Sequence, residues 1–271
     1  MNDSSFASNN QTIDLSVDEK GICSVTLNRP DVHNAFNEVM IAEITQAMIS
    51  LESDPNVRIV VVRGAGKSFC AGADINWMRR MADYDEEQNL EDAGLMSEMM
   101  DRLYRFPKPT LAHVHGAVFG GGVGLVACCD IAIASEDAVF SLSEVKIGLI
   151  PSVISPYVVE AMGTRNARRY FLSGERFGAS TARHVGLINE CCEDRELSTL
   201  RQTILQELLQ SAPEAQKIAK MQLQNVVSNN ISHEIRRQTS QMIAQVRASD
   251  EGREGTAAFL EKRLPPWRSE H

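Results

Sequence analysis

The segment VRIVVVR at residues 57–63 is a continuous β-branched run. Such a run reads as a strand covered on both faces, which calls for a sheet with helices packed against it. The surrounding segments supply both. FNEVMIAEITQAMISLES spaces Phe36, Val39, Met40, Ile44, Ala47, Met48 and Leu51 for one helical face and stops before Pro55. LEDAGLMSEMMDRLYRF reads as a second helix that ends at Pro107 and Pro109 and feeds the strand-like TLAHVHGAV. GICSVTLN, DIAIAS and AVFSL are further strand-like stretches, whereas from about Glu193 onward every periodic segment is helical. The expected organisation is an α/β core over residues 1–200 and a helical region over 201–271. No glycine/serine linker separates them.

Composition narrows the function classes. The chain has 271 residues, 43% of them hydrophobic, enough to bury a full core. Its 36 acidic against 27 basic residues leave a net charge of −9, which argues against a nucleic-acid partner. None of the six cysteines forms a CxxC pair, so they read as small hydrophobes in a reducing compartment. His113 and His115 lie two apart on a strand-like segment, with no cysteine or carboxylate at ligand spacing, so no metal is expected. The polar N-terminus MNDSSFASNNQTIDL lacks the layout of a secretion signal. The longest apolar stretch, residues 116–129, is too short and glycine-rich to cross a bilayer. A cytoplasmic location is expected.

Chemistry concentrates in three short stretches. GAVFGGGVGLVACCD places Gly120, Gly121 and Gly122 directly before an apolar run. Consecutive glycines let backbone amides approach a ligand, and a helix starting there adds unpaired N–H groups. Neither the P-loop spacing nor the dinucleotide fingerprint fits, since Leu125 stands at the third glycine position of the latter. SFCAGAD, following the 57–63 strand, is a second loop of small residues. Two such loops could aim two N–H groups at one oxygen, an oxyanion hole suited to a developing enolate. In SLSEVKIGLIP, Glu144 stands among apolar and small residues, where a carboxyl can move protons or be a satisfied structural group.

In order and spacing, SFCAGADINWM, HGAVFGGGVGLVACCDIAIAS and SEVKIGLIP resemble the crotonase family of enoyl-CoA hydratases and isomerases. LNRPDVHNAF and AAFLEKR match too, so the likeness spans roughly residues 12–265. It implies a spiral of ββα units, a C-terminal helical trimerisation region, and homotrimers or dimers of trimers. It implies an acyl-CoA thioester held by the amides of Ala73 and Gly121, with Glu144 as the proton-transferring group and no cofactor beyond the substrate's own coenzyme A. By the same likeness Val32, Ala71, Asp74, Ile75 and Asn76 line the coenzyme A, while Phe259 and Lys262 reach its adenine and phosphate end.

Typical hydratases of the family carry a second glutamate where this chain has Gly124, whose bareness is expected to clear room for substrate. A single glutamate serves a Δ3,Δ2-enoyl-CoA isomerase, yet family members with one glutamate at this position also add water. The ISPYVV segment, with Val153, Ile154 and Tyr157, makes the chain most similar to bacterial methylglutaconyl-CoA hydratases. Enzymes acting on isohexenylglutaconyl-CoA or short enoyl-CoA thioesters are the neighbouring readings. A diacid substrate would need a cation, for which Lys146, Arg79 and Arg80 are the candidates. Relatives that bind RNA do so through a lysine-rich helix; the matching helix here, within 34–52, has no lysine or arginine.

Overall fold

The structure is a computed structural model that describes residues 10–227 and 231–268. It opens with β1 (Ile13–Val17) and β2 (Ile22–Leu27), a 3-10 turn (Pro30–Val32), α1 (Glu38–Ser53) and β3 (Ile59–Gly64). Next come α2 (Ile75–Met81), α3 (Glu86–Tyr104), β4 (Thr110–Val114), β5 (Ala117–Phe119), α4 (Gly121–Cys128), β6 (Ile131–Ser135) and β7 (Val139–Ser141). A second 3-10 turn (Ser143–Ile147) precedes α5 (Ser155–Ser173), β8 (Arg176–Gly178), α6 (Ala179–His184), β9 (Glu190–Cys192) and α7 (Asp194–Leu209). Helices α8 (Pro213–Val227), α9 (His233–Ala248) and α10 (Asp250–Leu260) complete the chain.

Six strands form one sheet in the order β1-β2-β3-β4-β6-β9, and β5-β7-β8 form a smaller one. Pairing is parallel from β2 through β9, so each return needs a crossover, which helices provide. The β-branched run occupies β3 in the middle of the large sheet, where Ile59, Val60, Val61 and Val62 are all buried. Alternate residues serve opposite faces. Val60, Val62, Ala112, Val114, Ala132 and Ala134 join the main core with α1, α3 and α4, whereas Ile59, Val61, Leu111 and Ile133 face the other way.

Helix α1 starts where Asn37 accepts from the Met40 amide at 2.9 Å. Its buried face is that expected from the spacing, with two departures. Val39 is exposed, and Phe36 precedes the helix in a bridge to Ala73. Among the six cysteines Cys23, Cys70 and Cys128 are buried, and no disulfide links any of them.

The chain divides into two compact units, residues 1–106 with 110–201, and 107–109 with 202–271, so the division falls inside α7. In the second unit Glu251 on α10 accepts from the amides of Glu214 and Ala215 at 3.1 and 2.8 Å, satisfying the first turn of α8. Close approach of α9 and α10 needs Gly252, where a Cβ would overlap the Val246 carbonyl oxygen. Among the described residues no helix is long and apolar enough to cross a membrane.

Candidate active site

Hydrogen bonds along the backbone bring the two small-residue loops side by side. Cys70 donates to the Ala117 carbonyl at 3.1 Å, and Phe119 donates back to Cys70 at 2.9 Å. Two residues further on, Phe36 donates to the Gly72 carbonyl at 2.7 Å and Asp74 donates to Phe36 at 2.8 Å. That parallel bridge uses the groups of residues 72 and 74 and skips Ala73. Gly121 is the first residue of α4, where an amide has no carbonyl four residues back to bond within the helix. Among the described residues neither the Ala73 nor the Gly121 amide donates to a backbone carbonyl. Both are the amides that the resemblance assigns to an oxyanion hole, and both are free of backbone acceptors.

Gly120 makes the turn possible. Its φ of 52° lies in the left-handed region, and its carbonyl accepts from Val123 at 2.9 Å, which starts α4. A Cβ there would stand 3.1 Å from Glu144 Oε1, so the carboxyl lies against the bare backbone of this turn. The Gly120 amide donates to the Ser141 carbonyl at 3.0 Å, fastening β7 three residues before Glu144. Gly122 is needed for close packing, because a Cβ would come within 2.5 Å of the Cys70 carbonyl oxygen.

Glu144 is half-buried on its 3-10 turn, and its Oε2 is buried without a hydrogen-bond partner. Burial pushes its carboxyl above the ordinary carboxylate range, opposed in part by its own amide. A proton-transferring carboxyl has an uncommitted oxygen and a pKa moved toward neutrality, and Glu144 has both. Its surroundings are apolar. Phe36 stands at the Gly121 position, with the Met96 methyl beside it, and Ile147, Leu149 and Ile150 are exposed just past Glu144.

Gly124 corrects an expectation. A Cβ there would overlap the Ile154 Cγ2 methyl and fall 2.9 Å from Ile154 Cβ and 3.1 Å from Met100 Cε. Its bareness therefore makes room for Ile154, which is buried, and not for substrate. The place of the family's second carboxylate is filled with hydrocarbon.

The other site residues separate into groups. The Val32 turn is held by buried Asn34 in a left-handed conformation (φ 55°) that asparagine tolerates. Asn34 accepts from the Arg29 amide at 2.8 Å and donates to Ala65 and Ser68 carbonyls, both at 2.8 Å. Ala71 donates to the His33 carbonyl at 3.0 Å, which places exposed Val32 near Ala71 and the exposed Ile75 and Asn76 further along the same strip. The Asp74 side chain acts as a structural cap. It is buried, pairs with Arg29 at 2.7 Å, and accepts from the amides of Asn76 and Trp77 at the start of α2. Burial opposes its ionisation, but those hydrogen bonds outweigh it and hold the carboxyl below its ordinary range.

The three candidate cations have these surroundings. Lys146 lies along Gly174, on the side of Glu175; Arg80 pairs with Glu38; Arg79 donates to Asn76 at 3.0 Å. Phe259 is exposed at the end of α10 and Lys262 follows with a φ of 56°, both in the second unit. Among the described residues no cluster of His, Cys, Asp and Glu could hold a metal. Met96, Met100 and Phe36 were not legible as site residues. Their helical or apolar spacing reads as core, and only the glycines they pack on mark their place.

Two amides with no backbone acceptor on adjoining loops, and a half-buried carboxyl against the glycine turn, suit a class of enzyme that stabilises a thioester enolate and moves protons around it. The particular family follows from comparison. The model of the enoyl-CoA hydratase/isomerase family matches residues 18–270, and the chain belongs to that family. Among its relatives, a Thermus thermophilus protein provisionally named an enoyl-CoA hydratase is 33% identical, covering 91% of this chain and 98% of its own. The 1,2-epoxyphenylacetyl-CoA isomerase of Escherichia coli is 30% identical, covering 93% and 96%. The crystal structure of an enoyl-CoA hydratase from Shewanella pealeana superposes with a TM-score of 0.93 at 44% identity, covering 96% and 97%. The fold is thus the crotonase spiral with a C-terminal helical region, and the protein is an enzyme of the enoyl-CoA hydratase/isomerase type acting on acyl-CoA.

Proposed function

We propose that the enzyme hydrates an α,β-unsaturated acyl-CoA, 3-methylglutaconyl-CoA of leucine catabolism foremost, through a single carboxylate. The observation that carries the chemistry is Glu144, whose buried Oε2 has no partner and whose carboxyl lies against the glycine turn leading to the Gly121 amide. In the forward reaction Glu144 takes a proton from water as the oxygen attacks Cβ. The electron pair of the double bond moves onto the thioester oxygen, which Ala73 and Gly121 hold. Glu144 then delivers a proton to Cα, and the carbonyl re-forms. Each oxyanion donor is worth about 10²–10³ in rate. Coenzyme A lies along the Val32 turn and the Ala71–Asn76 strip, and Phe259 and Lys262, of this or an adjacent subunit, meet its adenine and phosphate end. The assembly is a homotrimer or a pair of trimers in the cytoplasm.

The diacid substrate rests on resemblance in the ISPYVV segment, because Arg79 and Arg80 have other partners and Lys146 lies along Gly174. Isohexenylglutaconyl-CoA and short enoyl-CoA thioesters are therefore assayed beside it. Ile154 in the second carboxylate's place favours one further reading, Δ3,Δ2 isomerisation, in which Glu144 removes a proton from Cα and returns one at Cγ. Mass-spectrometric product analysis tests both, with 3-methylglutaconyl-CoA in one tube and 3-hexenoyl-CoA in another, each with a Glu144→Ala control. Gain of one water on the first substrate, lost in the control, is the expected result. A conjugated product of unchanged mass from the second tube alone would replace hydration with isomerisation.

A further inference from the structure

The face of the large sheet turned away from the main core carries a second polar cluster. Strand register lines up Asp14, Thr26, Arg63, His113, Ile133 and Glu190 across six strands. The row is acidic at its ends and cationic at its centre. Neighbouring strands are about 4.8 Å apart, so Asp14 is about 10 Å from Arg63 across the strands, and Glu190 about as far from His113. Asp14 instead accepts from Asn28 at 2.7 Å. Arg201, on the first part of α7, adds a second guanidinium whose charge acts on both His113 and Arg63.

Three nitrogens in this cluster are buried without a hydrogen-bond partner: Arg63 Nε, His113 Nε2 and Arg201 Nε. Among the described residues neither Arg63 nor Arg201 forms an ion pair. The floor beneath them is apolar, built from buried Val61, Leu111 and Ile133. Buried donors without partners are rare, and two like charges on an apolar floor repel. Burial first, then the charges of Arg201 and Arg63, push the His113 imidazole down to about 4, so it is neutral and keeps one N–H to donate.

We propose that Arg63, His113 and Arg201 form a binding site for an oxyanion group, separate from the acyl-CoA site. The chemistry is two guanidinium forks and an imidazole N–H converging on phosphate or carboxylate oxygens, where charge-assisted bonds are strongest. The group comes either from a dissolved phosphate or from an acidic side chain of a second copy of this chain.

The test uses the full-length protein, inorganic phosphate as probe, and Arg201→Gln and Arg201→Lys variants. Their crotonyl-CoA turnover, unchanged from wild type, certifies that they fold. Calorimetric titration is run at fixed ionic strength, with chloride as the reference anion, and the oligomeric state is followed by sedimentation on dilution. For a dissolved ligand, wild type binds phosphate saturably over chloride, R201Q weakens it at least tenfold, and R201K falls between because it lacks the fork. For a side chain of a second copy, phosphate is inert against the assembled protein, and R201Q dissociates at a concentration at least tenfold higher. Identical phosphate response and identical assembly in wild type and R201Q would overturn the proposal.

Discussion

Glu144 and His113 each hold an ionisable side chain half-buried with an unpartnered atom. The same physics acts on both, since removal from water penalises charge, yet it moves them in opposite directions. The carboxyl is pushed up and the imidazole down, each toward its neutral form. Their neighbours distinguish them. Glu144 lies against a turn of bare glycine backbone that leads to an unpaired amide, with apolar side chains beyond it. His113 has guanidinium groups for company and no reacting atom to serve. Burial makes a group unusual; only the donors facing the same space make it catalytic.

The largest effect separates the two centres directly. Glu144→Gln keeps the shape and removes the proton acceptor, so kcat should fall by about 10²–10⁴, the range for positioned acid–base groups. His113→Gln should leave kcat within about threefold, the difference being smaller than one transition-state interaction. Steady-state hydration of crotonyl-CoA by both variants checks this. Equal losses would mean that the sheet's far face is coupled to the chemistry.

A second comparison lies within α4, between Gly121 and Gly124. Both lack a Cβ, but the space beside Gly121 adjoins the end of a flexible Met96 side chain, and that beside Gly124 is occupied by Ile154 near its backbone. Gly124→Ala should therefore cost about 1–3 kcal/mol by overpacking, Ile154→Ala about 2–5 kcal/mol by cavity formation, and the double variant less than their sum. Urea denaturation of the four proteins measures the coupling. Strict additivity would mean that Ile154 does not occupy the space left by the missing side chain.

This pair also shows how far the sequence could be read. The parallel core, the helical C-terminal region and the two glycine loops were legible because backbone needs leave local marks: β-branched runs, prolines after helices, bare residues at turns. Glu144 was legible as an isolated carboxyl in apolar company. The role of Gly124 was not, because its explanation is Ile154, thirty residues away in sequence. The capping role of Asp74 was hidden for a related reason. An aspartate in an exposed-looking loop becomes structural only when Arg29 folds onto it, a pairing 45 residues apart. The contacts of Lys146 and Arg80 are likewise tertiary, with Gly174 and Glu38.

The smallest effect is a pH dependence in which the two centres should oppose each other. For Glu144 the folded-state pKa is raised, so its contribution to stability is fully present below the ordinary value of 4.5 and is lost as pH rises through the folded value. For His113 it is depressed from 6.5 to about 4, so its contribution is present above 6.5 and is lost as pH falls toward 4. In the window between these values, raising the pH should weaken the fold through the carboxyl and strengthen it through the imidazole. Relative to wild type, Glu144→Gln should become progressively more stable as pH rises above 4.5, whereas His113→Gln should lose its disadvantage as pH falls from 6.5 toward 4. Urea midpoints of the three proteins taken every half unit from pH 4 to 7.5 give both slopes. If the two variants drifted from wild type in the same direction, burial could not be the common cause of both shifts.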